Sequence, residues 1–343
     1  MEKSKILIIY TGGTIGMIED PNTGALNPFD FDHLQDHIPE LNKLDVDLTV
    51  VSIEHPIDSS NVSPDTWFQL VTIIGEYYEI FDGFVILHGS DTMAYSASAL
   101  SFLLEHVNKP IIFTGSQLPI GKIRTDGKEN LITAIEIAAA KENGHPIVPE
   151  VAIYFEYSLY RGNRTTKVSS ENFEAFQSPN YPLLAEAGVH IKYNRFAINK
   201  VTEHIFFVRQ KICTDVASIR IFPGLQREVF QAISRLPQLK GLIIETFGSG
   251  NTPTHAWLSE EIMLLNQREV IVVNVTQCTT GAVSQGKYET GVHLERAGVL
   301  SGRDITFEAA ILKLMYLLAC DELSFEERKI YMERNIRGEM SNN

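Results

Sequence analysis

The chain has 343 residues, of which 44% are hydrophobic and 21% are charged, as in ordinary globular proteins. This length suggests two domains, since one domain has roughly 100–200 residues, and the composition argues against wholesale disorder. Lys and Arg number 29 against 43 Asp and Glu, which gives a net charge of −14. Such a charge argues against a general nucleic-acid or anionic-membrane binder, because phosphate groups would be repelled.

The cysteines and the N-terminus indicate the compartment. Cys213, Cys278 and Cys320 fit neither a zinc ligand set nor a closed disulfide framework, so we interpret them as thiols in a reducing compartment. The apolar run Ile6–Ile9 is too short for a signal-peptide core or a membrane span, and no other stretch is long enough to span. We therefore expect a soluble cytoplasmic protein with no membrane partner.

Short apolar runs alternate with helical patterns along the chain, which is typical of α/β layers. Several runs are continuously apolar, as in parallel strands that are covered on both faces. The predicted strands are, in chain order, Ile6–Tyr10, Leu48–Ile53, Phe84–Leu87, Ile111–Phe113, Val151–Phe155, Ile205–Val208, Ala217–Ile221, Leu242–Ile244 and Val270–Val275.

Apolar stripes at helical spacing predict helices between these strands. The first helix begins at Ser63-Pro64-Asp65, which combines a cap, a proline in the first turn and an acid that favours the helix dipole. Thr306 is the predicted cap of a helix near the end of the chain. The apolar stripes are Trp67-Leu70-Val71-Ile74, Met93-Ala97-Leu100-Leu104, Leu131-Ala134-Ile135-Ala138 and Ile311-Leu314-Met315-Leu318.

The pattern predicts two layered α/β domains with mainly parallel sheets, the larger one N-terminal and the smaller one C-terminal. Residues 156–200 have no long periodic run and contain several glycines and prolines, which indicates loops and a crossover. The alternation restarts at Cys213. We therefore assign residues 1–190 to the first domain, 191–212 to a linker and 213–343 to the second domain.

Segments rich in glycine, hydroxyl and amide groups follow five of the predicted strands. In open parallel sheets, ligands bind beyond the carboxyl ends of the strands. Glycine lets backbone N–H groups approach a ligand closely, and hydroxyl and amide groups hold a small zwitterion or act as nucleophiles. One such loop could be only a turn, but five at one sheet edge favour a ligand site. The segments are Thr11–Gly16, His88–Thr92, Thr114–Gln117, Glu245–Asn251 and Thr276–Gly281.

Two of these segments allow more than one interpretation. The run Gly12-Gly13-Thr14-Ile15-Gly16 does not fit G-x-G-x-x-G, and the chain has no Gly-Lys-Ser/Thr after it, which argues against a dinucleotide site. His88 precedes Gly89 at a strand end. We interpret this histidine either as a functional group or as a core histidine with satisfied hydrogen bonds.

Taken together, these residues resemble the bacterial asparaginase/glutaminase family, in particular its cytoplasmic type I branch. The resemblance covers essentially the whole chain, and the first and third matching segments together make it specific. The matching segments are Tyr10–Met17, Asp58–Ser60, Leu87–Tyr95, Thr114–Gln117, Leu159–Lys167, Gly248–Asn251 and Thr276–Cys278.

The resemblance implies hydrolysis of the side-chain amide of L-asparagine to L-aspartate and ammonia, with no metal and no organic cofactor. An amide carbonyl needs a nucleophile, a base that activates it and donors for the developing oxyanion. By resemblance, Thr14 is the nucleophile, and Ser90, Asp91 and Lys167 form the second catalytic cluster. A lysine beside hydroxyl groups in a dry pocket can lose its proton more readily and serve as the base.

The same resemblance implies which groups bind the substrate. Asp91 suits the ammonium group, and Ser59 with nearby backbone N–H groups suits the carboxylate. Asn251 matches a residue that, in the family, reaches the neighbouring subunit's site, which implies a homodimer or a homotetramer. The substrate-binding residues are therefore expected to be Ser59, Gly89, Ser90, Asp91, Ser116 and Asn251.

The chain departs from the family pattern at three positions. Ser90 stands where the family usually has threonine, so the hydroxyl is kept and the methyl that restrains the rotamer is lost. Ala25 or Leu26 stands where many members have a tyrosine, so either Lys167 through Ser90 or a water activates the nucleophile, or turnover is slow. Glu245 stands where type I enzymes with a second, allosteric asparagine site have an arginine, and an acid cannot bind a substrate carboxylate.

Two other functions stay open. One is the ammonia-supplying subunit of a tRNA-dependent amidotransferase, although those proteins carry an additional N-terminal region and the first catalytic loop here begins at Thr11. The other is a non-catalytic amino-acid sensor, which the missing tyrosine supports but which would not need Lys167 as a base. The asparagine-to-glutamine preference also stays open, because a pocket discriminates one methylene by only ~1–3 kcal/mol.

Overall fold

The structure, a computed structural model, describes residues 3–19, 26–28, 38–285 and 289–342. The chain divides into two compact units, Met1–Gln210 and Lys211–Asn343. Both units are α/β, and the first has the larger, mainly parallel sheet, which confirms the predicted fold class. In the part of the chain that the structure describes, no helix is long and apolar enough to cross a membrane.

The first unit is built on an eight-stranded sheet. Its strands lie in the order β2-β1-β3-β4-β5-β6-β7-β8 when they are numbered along the chain. The strands from β2 to β5 in this order run parallel, and β6, β7 and β8 each run antiparallel to the preceding neighbour. The bounds are β1 Ser4–Gly12, β2 Val46–Ile57, β3 Gly83–Leu87, β4 Ile111–Thr114, β5 Val151–Phe155, β6 Ser158–Arg161, β7 Ala185–Ala187 and β8 Ile191–Tyr193.

Strand β1 is an inner strand of the parallel part, between β2 and β3. Within this strand, residues Ile6–Ile9 are fully buried. This burial agrees with the continuous apolar run in the sequence, because a strand that is covered on both faces has apolar side chains on both. Because β1, β3 and β4 run parallel, their carboxyl ends meet at one edge of the sheet.

Three helices of the first unit are α1 (Pro64–Tyr77), α2 (Met93–Leu103) and α3 (Gly127–Ala139). Ser63 caps α1, and Ser63 and Thr66 form a capping box. The predicted apolar stripes of all three helices are buried, which confirms their faces. Short 3-10 helices lie at Thr14–Gly16, Pro39–Lys43, Ser59–Asn61, Ser90–Thr92 and Gly162–Arg164.

The described part of the first unit also has four short antiparallel strand pairs. The pair that matters for the site joins Thr166–Lys167 to Phe176–Gln177. The other pairs are Met17–Glu19 with Leu26–Pro28, Leu104–Glu105 with Phe207–Val208, and Lys141–Glu142 with His145–Pro146.

The second unit has a parallel four-stranded sheet in the order β9-β10-β11-β12, with strands β9 Val216–Arg220, β10 Gly241–Thr246, β11 Ile271–Thr276 and β12 Leu300–Ser301. Thr306 caps a helix as predicted, since its hydroxyl accepts the N–H of Ala309 at 3.2 Å. The described helices are α4 Arg227–Ser234, α5 Ala256–Gln267, α6 Glu289–Arg296, α7 Phe307–Leu318 and α8 Phe325–Met332.

The structure differs from the sequence-based expectation in three respects. Within 156–200, the three short strands β6, β7 and β8 extend the sheet where only loops and a crossover were expected. The predicted strand Ile205–Val208 is reduced to Phe207–Val208, because only these two residues find a partner strand. Ile191–Tyr193, in the segment assigned to a linker, is an edge strand of the first sheet.

Candidate active site

The loops after β1 and β3 are in contact at the carboxyl edge of the first sheet. Thr11, at the end of β1, donates its hydroxyl hydrogen to the carbonyl of Leu87 at 2.9 Å. Gly13 lies so close to Gly89 that a Cβ on Gly13 would be 2.6 Å from the Gly89 Cα. Thr14 follows the first glycine and Ser90 the second, and each begins a one-turn 3-10 helix. The topology therefore brings the two predicted hydroxyl groups to the same edge.

Lys167 joins Ser90 to Asp91. Its Nζ lies 2.8 Å from the Ser90 Oγ and 2.6 Å from the Asp91 Oδ1. The lysine side chain is 16% exposed, whereas the Asp91 side chain is 65% exposed. Ser90 is buried. The cluster thus has a sheltered hydroxyl and amine, and a carboxylate that is open to an arriving cation.

Ser59 lies beside the Gly89 backbone. It begins the 3-10 helix Ser59–Asn61, whose N-cap Asp58 accepts the backbone N–H of Ser60 at 2.8 Å. The hydrogen bonds from Ser60 lower the pKa of the Asp58 carboxyl. A Cβ on Gly89 would be 2.5 Å from the Ser59 Oγ, so only glycine fits there. Thr92 also ties this helix to the next loop, since its hydroxyl donates to the Ser59 carbonyl at 2.7 Å.

His88 is a core histidine with satisfied hydrogen bonds. It is buried, and its Nδ1 lies 2.7 Å from the Gly89 carbonyl oxygen. Its Nε2 lies 2.9 Å from the Ser96 Oγ, which also receives the indole N–H of Trp67 at 2.9 Å. A carbonyl can only accept, so Nδ1 carries the proton and Nε2 accepts the Ser96 hydroxyl. Desolvation lowers the pKa of His88 to about 4, which agrees with a neutral ring.

The loop after β4 contributes two residues, Ser116, which was predicted as a site residue, and Gln117, which was not. Ser116 is buried and donates its hydroxyl hydrogen to the Leu118 carbonyl at 2.6 Å, so its substrate-binding role stays a prediction. The next residue, Gln117, accepts the Ser90 hydroxyl at its Oε1, 3.3 Å away. Gln117 had a visible signal, because it belongs to the same polar segment at the strand end.

Two positions singled out in the sequence lie elsewhere. Asn251 is in the second unit, where it forms a β-bridge with Phe247 after β10. Glu245 is also there, and its carboxylate lies 3.9 Å from the Arg220 guanidinium on the neighbouring strand β9. Ala25 lies outside the described residues, and Leu26 is described only as the first residue of a short strand.

The arrangement suits acyl transfer from an amide. A threonine hydroxyl on a glycine-rich loop can attack a carbonyl carbon, and a lysine in contact with a second hydroxyl can move the proton. Among the described residues, no group of three or more His, Cys, Asp or Glu side chains is placed to hold a metal ion.

Comparisons with known proteins give the same family for both units. Residues 5–199 match the model of the asparaginase N-terminal domain, and residues 215–332 match the glutaminase/asparaginase C-terminal domain. L-asparaginase 1 of Escherichia coli (strain K12) is 41% identical over 99% of each chain. The crystal structure of L-asparaginase I from Vibrio cholerae has 39% identity and a TM-score of 0.90, over 99% of this chain and 100% of that one.

A relative with a different name bears on the second possible function. A glutamyl-tRNA(Gln) amidotransferase component from Archaeoglobus fulgidus is 31% identical, over 98% of this chain and 79% of the relative. This identity is lower than that of the two asparaginases. With both of its units matched by the paired domain models and its full length aligned to L-asparaginase 1, the chain belongs to the asparaginase family.

Proposed function

We propose that this protein is a cytoplasmic L-asparaginase that converts L-asparagine and water to L-aspartate and ammonia. The observation that carries the proposal is the Ser90–Asp91–Lys167 cluster beside the Thr14 loop, in a chain that belongs to the asparaginase family. The exposed Asp91 carboxylate takes the substrate ammonium group. Ser59 and the backbone N–H groups near it take the substrate carboxylate.

The proposed reaction has two steps, formation of an ester of Thr14 and its hydrolysis. The Thr14 Oγ bonds to the amide carbon, the C–N bond breaks, and the nitrogen leaves as ammonia with the proton of the hydroxyl. Water then attacks the resulting ester, which releases aspartate and returns a proton to the Thr14 Oγ. Lys167 moves these protons through Ser90, because its Nζ lies 2.8 Å from the Ser90 Oγ. An ester of Thr14 that is trapped by denaturation and found by mass spectrometry distinguishes this route from direct attack by water.

Ammonia release from asparagine tests the proposal. Thr14→Ala and Lys167→Met are expected to lower kcat by at least about 100-fold, as for the loss of a nucleophile or a base. Lys128→Met is the matched control, because it removes an exposed lysine of the same unit that pairs with Glu40. Near-wild-type activity of either site variant would overturn the site assignment. Tight asparagine binding by a wild-type protein that releases no ammonia would establish a sensor, and copurification of tRNA or a large partner would favour the amidotransferase subunit.

We also propose that the protein works as a homodimer or homotetramer in which Asn251 serves the site of a neighbouring subunit. The proposal is supported by the family resemblance at Gly248–Asn251 and by the place of Asn251 in the second unit, whereas the other predicted site residues are in the first. Sedimentation of the full chain tests the oligomeric state.

Mixing two impaired variants tests whether Asn251 acts across subunits. Thr14→Ala and Asn251→Ala are each expected to be impaired. In a mixed dimer, the intact Thr14 of one chain would meet the intact Asn251 of the other, so reassembly of the two variants should recover ammonia release. If Asn251 acted in its own chain, both sites of the mixed dimer would keep a defect and no recovery would occur.

A further inference from the structure

The hydroxyl of Ser90 is held from two sides. Lys167 donates to it from 2.8 Å, and the hydroxyl in turn donates to the Gln117 Oε1 at 3.3 Å. An amide oxygen can only accept, so the Ser90 hydroxyl is the donor in its hydrogen bond to Gln117.

Gln117 is itself fixed at both ends. Its Nε2 donates to the Asn172 carbonyl at 2.9 Å, which orients the amide with its oxygen towards Ser90. Its backbone N–H donates to the Asp126 carboxylate, with N–O distances of 2.9 and 3.1 Å. Asp126 is buried and also receives the backbone N–H of Leu118 at 3.1 Å. The acceptor for the Ser90 hydroxyl is therefore preorganised.

Ser90 needs an external restraint because of its chemistry. A β-branched threonine is stiff at χ1, since two heavy atoms on Cβ restrict its rotamers. Serine has one heavy atom there, so all three staggered rotamers compete. The Oγ lies 2.8 Å from the Lys167 Nζ in the rotamer that the structure shows, and any other χ1 moves the Oγ from this place.

We propose that Gln117 is a positioning residue that holds Ser90 in the rotamer facing Lys167, and so supplies the restraint that a γ-methyl group would give. The inference rests on the proposed function, because it assigns the restraint to the proton path through Ser90. It predicts that the effects of Gln117 and of the methyl group absent from residue 90 on kcat are coupled. Loss of the Gln117 amide should lower kcat more when residue 90 is serine than when it is threonine.

A double-mutant cycle tests this coupling. Gln117→Leu is expected to lower kcat for ammonia release about 5- to 10-fold, with KM changed less than about twofold, because the groups that bind the substrate are untouched. In the Ser90→Thr background, the same substitution should cost less than about twofold. Equal losses in the two backgrounds, or no loss in either, would overturn the proposal. Gln177→Leu, at an exposed glutamine on the strand paired with Thr166–Lys167, is the matched control and should keep wild-type kcat.

Crystal structures give a second measurement that does not depend on activity. The Gln117→Leu variant should show Ser90 in more than one rotamer, and the Ser90→Thr variant should show a single rotamer with or without Gln117. A single, unchanged Ser90 rotamer in Gln117→Leu would overturn the proposal even if the protein were inactive. Absence of ammonia release by the wild-type protein would instead overturn the proposed function, so the two failures are distinguishable.

Discussion

Gly13 and Gly89 lie in direct backbone contact where β1 and β3 end. A Cβ on Gly13 would be 2.6 Å from both the Cα and the N of Gly89, and Gly13 has a φ of +86°. Both facts require glycine, the first for space and the second for conformation. The contact sets the loops of Thr14 and Ser90 side by side, so the geometry of the proposed site depends on it.

Gly13→Ala is therefore expected to abolish ammonia release and to lower the free energy of unfolding by more than the about 1–3 kcal/mol of backbone strain alone. Gly144→Ala is the matched control, because Gly144 has a similar φ of +82° and no atom within 4 Å of an added Cβ. Gly144→Ala should lower the free energy of unfolding only by the backbone strain and should keep full activity. Urea unfolding and ammonia release measure both quantities, and equal effects of the two substitutions would contradict the role of the contact.

The sequence predicts the regular part of the fold well, for a physical reason. Strands such as Ile6–Tyr10 and Val151–Phe155 are continuously apolar because both faces are covered, and helix faces such as that of Trp67 and Ile74 recur at helical spacing. Strands β6 to β8 were not predicted. Each has only three or four residues, too few for a periodic pattern, and their antiparallel partners are set by tertiary contacts.

The candidate site is only partly predictable from the residues. The polar segments after β1, β3 and β4 could be found, because carboxyl ends of parallel strands meet at one edge. Lys167 could not, since it lies on a two-residue strand with no pattern, and only the family resemblance pointed to it. The choice between the two interpretations of His88 also needed the structure, because burial and hydrogen-bond partners decide it.

His88 should make the stability depend on pH. Its pKa is about 4 in the folded protein against an ordinary 6.5, because burial disfavours the charged ring. Between these values the unfolded chain binds a proton that the folded chain does not. The neutral His88 therefore contributes fully to the free energy of unfolding above pH 6.5. This contribution is lost as the pH falls towards 4, by about 2–3 kcal/mol between pH 7 and pH 4.5.

The His88→Asn variant isolates this contribution from the carboxyl groups that titrate in the same range. An asparagine amide can still donate to the Gly89 carbonyl but does not titrate. The loss of unfolding free energy between pH 7 and pH 4.5, measured by urea unfolding, should be about 2–3 kcal/mol smaller in the variant than in the wild type. Parallel pH profiles would show that His88 is not responsible.

Glu245 is expected to make the rate a hyperbolic function of asparagine concentration. The family resemblance places an arginine there in type I enzymes with a second asparagine site, whereas this chain has a carboxylate that faces Arg220 at 3.9 Å. The Glu245 carboxylate repels the carboxylate of asparagine and already faces the nearby Arg220, so we expect no second asparagine to bind here. Initial rates should give a Hill coefficient of about 1, and Glu245→Gln should leave the shape of the curve unchanged. A sigmoidal curve would contradict the expectation.

Breaking the buried ion pair between Lys313 and Glu339 should destabilise the second unit strongly. Their charged atoms lie 2.6 Å apart, both side chains are fully buried, and Glu339 also accepts the backbone N–H of Arg337 at 2.7 Å. Lys313→Met leaves an unpaired buried carboxylate, so the free energy of unfolding should fall by about 3–5 kcal/mol. Lys329→Met removes the partly buried partner of the exposed Glu326 in the same unit and should cost about 0.5 kcal/mol or less. Urea unfolding compares the two, and a loss under about 1 kcal/mol in Lys313→Met would show that the pair does not hold the C-terminal segment in place.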